Sequence, residues 1–227
     1  LARGADPSFN NLVDLDRLLQ SISHIGAAFI LRNGAVPYIA VGAKHGNPCG
    51  AAISSHEKHD AIRDMVMGDP RAILGGLVIM NFALDEGDVE LLLTYRHAEG
   101  RRRFDGVIVP AVTPAALAAL KRKGDKCRVF VNPALQELLD LDRAPRKRYV
   151  RGGFLVQPNY AFVIDLEDQE IEAVGNLEPQ QARDLTLAWA VGCTSNSNTI
   201  TLVRNGRLIG NGVGQQDRVT AAEVAVK

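Results

Sequence analysis

Cysteine, aromatic residues and excess charge of either sign are all scarce in this chain. There are three cysteines among 227 residues, Cys49, Cys127 and Cys193. Their odd number and wide spacing yield neither a disulfide framework nor a CxxC metal site, and a reducing, cytoplasmic setting is the default expectation. Lys and Arg number 26 and are matched by 26 Asp and Glu. A chain with no net charge gives no general electrostatic support for nucleic-acid or membrane partners, and none is expected. No apolar run approaches the ~20 residues of a membrane-spanning helix. No signal-peptide pattern occupies the opening residues, and no low-complexity tract or fixed-period repeat follows. What remains is ordinary globular composition, 46% hydrophobic and 23% charged, long enough to bury a core in one large domain or two small ones.

Periodicity then sets out the elements. Asn11 to Ile25 places Leu12, Leu15, Leu18, Leu19, Ile22 and Ile25 on one helical face. Tyr38-Ile39-Ala40-Val41 reads as a buried strand, with Asn47-Pro48 and Gly50 as a sharp turn beyond it. Leu77–Met80, Val107–Val109 and Val129–Val131 are strand-like. Asp85 caps one helix, and Thr113-Pro114 and Asn132-Pro133 each open another with proline at the first helical position. This alternation argues for an α/β layer with helices packed on a sheet. Leu141 to Arg151, rich in Arg, Lys and Pro, reads as a linker or an exposed connection. Phe154–Val156 and Ala161–Ile164 are strand-like, Pro179 opens a helix, and Asn205-Gly206 marks a hairpin between Thr199–Arg204 and Arg207–Ile209.

The chemistry-bearing residues are few. Lys44-His45 sits where the first buried strand ends. A cation beside a base that titrates near neutral pH can move protons and stabilise developing negative charge. Pro48-Cys49 invites comparison with the P-C-x-x-C of zinc deaminases, but Ala52 occupies the second cysteine position and no H-x-E precedes it. His56 and His59 have helical spacing without a third ligand, so no metal is expected. Gly210-Asn211-Gly212-Val213-Gly214 has GxGxG spacing after a hairpin, unlike a dinucleotide fingerprint. With Gln215, Gln216 and Arg218 at a helix start, it suits an anion or an amide-bearing ligand. Asn198 is placed to hydrogen-bond a carbonyl or oxyanion. The clusters Arg101–Arg103, Lys121–Lys123 and Arg146–Arg148 read as solvated faces.

Four stretches together resemble the AICAR formyltransferase domain of the bifunctional purine-biosynthesis enzyme. Ser8-Phe9-Asn10-Asn11-Leu12 is similar to its S-F/Y-x-N-L/I segment, and Lys44 to Gly50 matches K-H-x-N-P-C-G throughout. Phe104 to Pro110 resembles its D/E-x-I-I-A-P strand. Ser197-Asn198, Asn205-Gly206 and Gly210 to Arg218 follow its S-N, N-G and G-x-G-x-G-Q-Q/M-x-R order. The resemblance implies a fold of two cytidine-deaminase-like α/β units without zinc, here 1–145 and an incomplete 146–227, with helices packed on mixed sheets. It implies formyl transfer from 10-formyltetrahydrofolate to the amine of AICAR or a related aminoimidazole carboxamide nucleotide, without metal, at sites on a homodimer interface or shared with a homologous chain. Within it His45 is the base, Lys44 the charge stabiliser and Asn198 the holder of the formyl or carboxamide oxygen. Asn11, Gly75, Asp105, Gln216 and Arg218 line the substrate pocket.

Departures from the pattern shape the alternatives. The family's R-Y-G-x-N-P-H segment lies upstream of the residues present, and its S-D-A-F-F-P-F-R-D segment belongs after Arg218, so a shortened or truncated version is expected. Asp69 to Gly76 replaces D-P-x-S-A/S-F-G, with Ala72, Ile73 and Leu74 where specificity could shift. A non-catalytic nucleotide-binding subunit, or a diverged relative acting with a partner chain, is the alternative. A metal-dependent deaminase is disfavoured by Ala52.

Overall fold

Most of the apolar runs become strands of one sheet in a computed structural model, which describes residues 1–98, 100–138, 141–172 and 174–227. A long helix, α1 (Phe9–Asn33), comes first, capped by Ser8, whose Oγ accepts from the Asn11 N–H at 3.3 Å. The elements β1 (Tyr38–Lys44), β2 (Asn47–Ser54), α2 (Lys58–Val66), β3 (Leu77–Met80), α3 (Glu86–Thr94), β4 (Gly106–Val109), α4 (Pro114–Ala119) and β5 (Arg128–Val131) follow. After a separate hairpin, β6 (Arg146–Val150) and β7 (Gly153–Gln157), come α5 (Pro179–Gly192), β8 (Ile200–Arg204), β9 (Arg207–Gly212) and α6 (Arg218–Ala225).

The seven-stranded sheet has the order β5-β4-β3-β1-β2-β9-β8. It is mixed: β3, β4 and β5 are parallel through the crossovers α3 and α4, and the other pairs are antiparallel. The hairpin β8–β9 joins the sheet beside β2. Helices cover both faces, so the strands are buried on both sides and read as continuous apolar runs. Leu18, Ile22, Ile25 and Phe29 of α1 pack with Leu187 and Val191 of α5 over Ile39, Val41 and Ile79. Ile62 and Met65 of α2, Val89 and Leu92 of α3, and Ala116 of α4 pack over Ala40, Val78, Val107 and Val129. Each large aliphatic side chain so buried contributes roughly 1.5–3 kcal/mol.

Several boundaries differ from the sequence reading. The helix α1 runs past Ile25 because Ala28 and Phe29 continue its buried face, and it stops at Gly34 in a left-handed conformation. Asn47-Pro48 begins a strand instead of a turn; the reversal lies one step earlier, at His45-Gly46. Asn132-Pro133 opens a single 3₁₀ turn, Pro133–Gln136, capped by the Asn132 side chain. Arg146–Val150, read as a linker, is a strand paired with β7, and 161–164 joins no ladder. Phe162 there packs edge-on against Trp189, with centroids 5.8 Å apart.

The glycine-rich stretch has a packing role. Gly210 and Gly212 lie in β9 directly under α6, and a Cβ on either would stand 1.9 Å from a backbone oxygen, of Ala225 or Ala221 respectively. Gly212→Ala is therefore expected to destabilise by about 1–3 kcal/mol through overpacking. Gly153→Ala, where an added Cβ meets no atom within 4 Å, is expected to stay within about 0.5 kcal/mol of the parent. Urea unfolding midpoints of the two variants check this contrast.

Candidate functional site

The sheet order decides what meets Lys44. Because β1 runs antiparallel to β3, the end of β1 lies beside the start of β3, and the starts of β4 and β5 follow. On the other side β2 begins where β9 ends, next to the start of β8. Lys44, His45, Gly75, Asp105, Asn198 and the 212–218 segment thus all reach one end of the sheet. They are spread along it: with strands ~4.8 Å apart, the segment before β8 lies three strands, roughly 14 Å, from Lys44.

Lys44 and His45 stand at a two-residue hairpin. Lys44 pairs with Asn47, while His45 and Gly46 take φ of 54° and 73°. Positive φ at both central residues is the turn whose twist matches flanking strands, and His enters that region more readily than bulkier side chains. The turn is gripped from α1. The Gly46 N–H donates to Asp14 Oδ1 at 2.6 Å, and Arg17 Nε donates to the Gly46 carbonyl at 2.9 Å. Arg17 also donates to the Thr194 carbonyl and, at 3.2 Å, to Asn196 Oδ1. Burial, followed by the charge of Arg146, lowers the Arg17 pKa. The Asn196 N–H approaches Asn47 Oδ1 at 3.4 Å. Asn211 donates to the Pro48 carbonyl at 2.9 Å and Ser195 Oγ at 3.2 Å, and accepts from Thr201 Oγ1 at 2.8 Å.

Lys44 Nζ donates to the Leu74 carbonyl at 2.7 Å. Gly75, at φ 77°, has open space on its Cβ side, and its N–H donates to the Arg103 carbonyl at 2.7 Å. The Asp105 carboxylate pairs with Arg122 at 2.9 Å. Lys44 and His45 line a cavity of about 480 Å³, walled by Asn47–Cys49, the 68–72 loop, β9, Val213 and α6 with Lys227. Asn11, Gly75, Asp105, Asn198, Gln216 and Arg218 lie outside that wall. Asn11 is buried as the capping partner of Ser8. Asn198 gives its amide hydrogens to the carbonyls of Gln215 and Gln216, at 3.1 and 3.0 Å. Gln216 and Arg218 are exposed at the start of α6.

Burial, reinforced by Asp69, pushes the Cys49 thiol up to about 12, and its Sγ contacts the Gly42 carbonyl at 3.6 Å. That describes a packed thiol, not an activated one. His59 Nε2 sits 3.0 Å from Asp88 Oδ1, and among the described residues no group of three or more His, Cys, Asp or Glu is arranged to hold a metal ion. No helix among the described residues is long and apolar enough to cross a membrane.

Comparison with known proteins gives the family. The family model described as the AICARFT/IMPCHase bienzyme matches residues 1–227. The chain belongs to that family. The bifunctional purine biosynthesis protein PurH of Thermosynechococcus vestitus is 34% identical over 228 residues, covering 100% of this chain and 40% of the relative. The PurH proteins of Acidithiobacillus ferrooxidans and Anoxybacillus flavithermus are 33% and 31% identical, each over 99% of this chain. The chain spans about two fifths of the length of these relatives.

Sequence reasoning missed Asp14, Arg17 and Asn211. A signal for the first two was present: Asp14, Arg17 and Ser21 recur at helical spacing beside the apolar face of α1. Ser21 Oγ, fully buried, meets Thr194 Oγ1 at 2.8 Å. Asp14→Ala is expected to cost about 1–3 kcal/mol by leaving the Gly46 N–H unpaired. Asp14→Asn, which keeps an acceptor, is expected to cost less. Hydrogen exchange at the Gly46 amide, faster in Asp14→Ala than in the parent, is the direct measurement.

Proposed function

We propose that this chain carries the formyl-transfer chemistry of its family, moving a formyl group from 10-formyltetrahydrofolate to the amine of AICAR or a related aminoimidazole carboxamide nucleotide in purine biosynthesis. The observation that carries the reading is the Lys44–His45 pair, presented side by side on a turn held by Asp14 and Arg17 at a cavity of about 480 Å³. The substrate amine attacks the formyl carbon, and His45 takes the proton the amine loses. The carbonyl oxygen becomes an oxyanion, which the Lys44 ammonium stabilises. Collapse of that intermediate breaks the carbon–nitrogen bond to the folate, whose nitrogen leaves with a proton, and formylated nucleotide and tetrahydrofolate result. In this reading an Asn198 amide hydrogen, given up by the Gln215 or Gln216 carbonyl, holds the formyl or carboxamide oxygen, while Asn11, Gly75, Asp105, Gln216 and Arg218 shape the rest of the substrate site.

The same proposal includes two cytidine-deaminase-like units, 1–145 and an incomplete 146–227, and a cytoplasmic setting. The parallel β3–β4–β5 run beside the antiparallel β1–β2 pair supports one α/β unit within 1–145, while β8 and β9 of 146–227 complete the same sheet; three free thiols support the cytoplasmic setting. A second reading, a nucleotide-binding subunit without turnover of its own, is favoured by the commitment of both Asn198 amide hydrogens within the chain.

In an assay of the full-length protein with AICAR and 10-formyltetrahydrofolate, His45→Ala is expected to lower kcat by about a hundred- to ten-thousandfold. Absence of turnover by the folded parent, alone and with a homologous chain, overturns the enzyme reading; AICAR binding without turnover selects the second.

A homodimer, or pairing with a homologous chain, belongs to the same proposal. The two-stranded β6–β7 arm exposes Tyr149, Phe154, Leu155 and Val156, each more than half accessible. An isolated hairpin is marginally stable, and the apolar face formed by Tyr149, Phe154 and Val156, with Leu155 exposed on the opposite face, calls for a covering surface. Phe154→Glu with Leu155→Glu is expected to shift the protein from dimer to monomer in light scattering after size exclusion.

A further inference from the structure

A second concavity, of about 740 Å³, opens at the same end of the sheet beside the starts of β4 and β5. Three separate pieces of chain converge on it: 101–104, the end of α4 through Gly124, and 126–127. Each brings cations. Arg103, Lys121, Lys123 and Lys126 are exposed on its rim and make no ion pair among the described residues. Among the described residues the nearby carboxylates are already used: Glu90 by Arg101, Asp105 by Arg122 and Asp125 by Arg3. Deeper in the wall Arg102 is 3% exposed and donates to the carbonyls of Leu92 and Tyr95 at the end of α3, yet its Nε has no hydrogen-bond partner.

A solvated basic face accounts for single lysines but not for this arrangement. Like charges gathered in a concavity repel, and low-dielectric walls focus their field onto whatever enters. The chain as a whole is neutral, so the local excess is a matter of placement, not composition. We propose that this groove is a second ligand site, which takes a small polyanion carrying two or more phosphate or carboxylate groups. The rim lysines supply mobile point charges and Arg103 a planar donor fork, the groups that meet such anions. The groove is distinct from the Lys44–His45 cavity but mechanically joined to it. The Arg103 carbonyl holds the Gly75 N–H, and the neighbouring Leu74 carbonyl holds Lys44.

Titration calorimetry of the full-length protein with two probes, tripolyphosphate and citrate, at about 50 mM salt tests this without reference to turnover, so the formyl-transfer reading stands or falls separately. Binding of either probe is expected, and which one binds identifies the anion chemistry. Lys121→Glu with Lys123→Glu is expected to weaken it about tenfold or more, and Lys126→Ala by less, because each removes charge from a rim already short of carboxylates. Both changes lie on the exposed rim, and thermal unfolding confirms that the variants fold. The proposal is overturned if neither probe binds the parent, if the rim variants bind unchanged, or if the loss follows Arg71→Glu or Arg148→Glu instead.

Discussion

The backbone of Gly46 receives a carboxylate on its N–H and a guanidinium on its carbonyl, both from α1, and the geometry of the candidate site depends on that double grip. A hairpin of two residues leaves little slack, and with His45 in the left-handed region it carries a backbone cost of roughly 1 kcal/mol. Charge-assisted hydrogen bonds offset a cost of that size. They also do what backbone preference cannot, which is to fix the turn relative to a helix on one face of the sheet. Arg17 extends the grip to the 194–196 segment, so the hairpin, α1 and the approach to β8 are tied together.

The sheet supplies the rest by topology. With β1 antiparallel to β3 and β2 antiparallel to β9, loops from distant parts of the chain arrive at one end without crossing one another. The two concavities at this end have no lining residue in common; between them lie the 74–76 and 103–105 segments, stitched by the Gly75–Arg103 and Gly76–Asp105 backbone bonds. Charge divides between them unevenly. The Lys44–His45 cavity mixes Asp69 with Arg71, whereas the groove beside β5 carries rim cations without matching carboxylates among the described residues. Two compartments of different charge on one rigid frame are suited to hold different parts of a ligand, or different ligands.

Legibility in the sequence followed the range of the interaction. Short-range signals read well: Asn205-Gly206 is a hairpin with φ of 54° and 73°, Asp85 and Thr113 are caps, and the apolar runs are strands. The turn at His45-Gly46 was placed one step late because Asn-Pro is the louder signal, although proline is tolerated at the beginning of a strand. Arg146–Val150 escaped because every residue of that hairpin is partly or fully exposed, so no burial alternation marks the pairing. The roles of Asp14 and Arg17 need a partner 29 or more residues away, which no local pattern encodes. For the same reason the sequence announces Lys44-His45 as a pair without showing what holds it.

The GxG of β9 illustrates how a motif can bear on a site without touching a ligand. The sequence suggests a ligand cradle there, which needs freedom at φ. The requirement is instead the absence of a Cβ. With none at 210 or 212, α6 lies close enough for Val224 and Ala225 to wall the cavity. A side chain at either position would lift α6 away from β9 and open that wall to water. Because electrostatic stabilisation of developing charge weakens as solvent enters, the strength of any Lys44 interaction depends on two hydrogen atoms on the far side of the cavity. Under the proposed chemistry, the motif acts through the dielectric of the cavity, by way of helix packing.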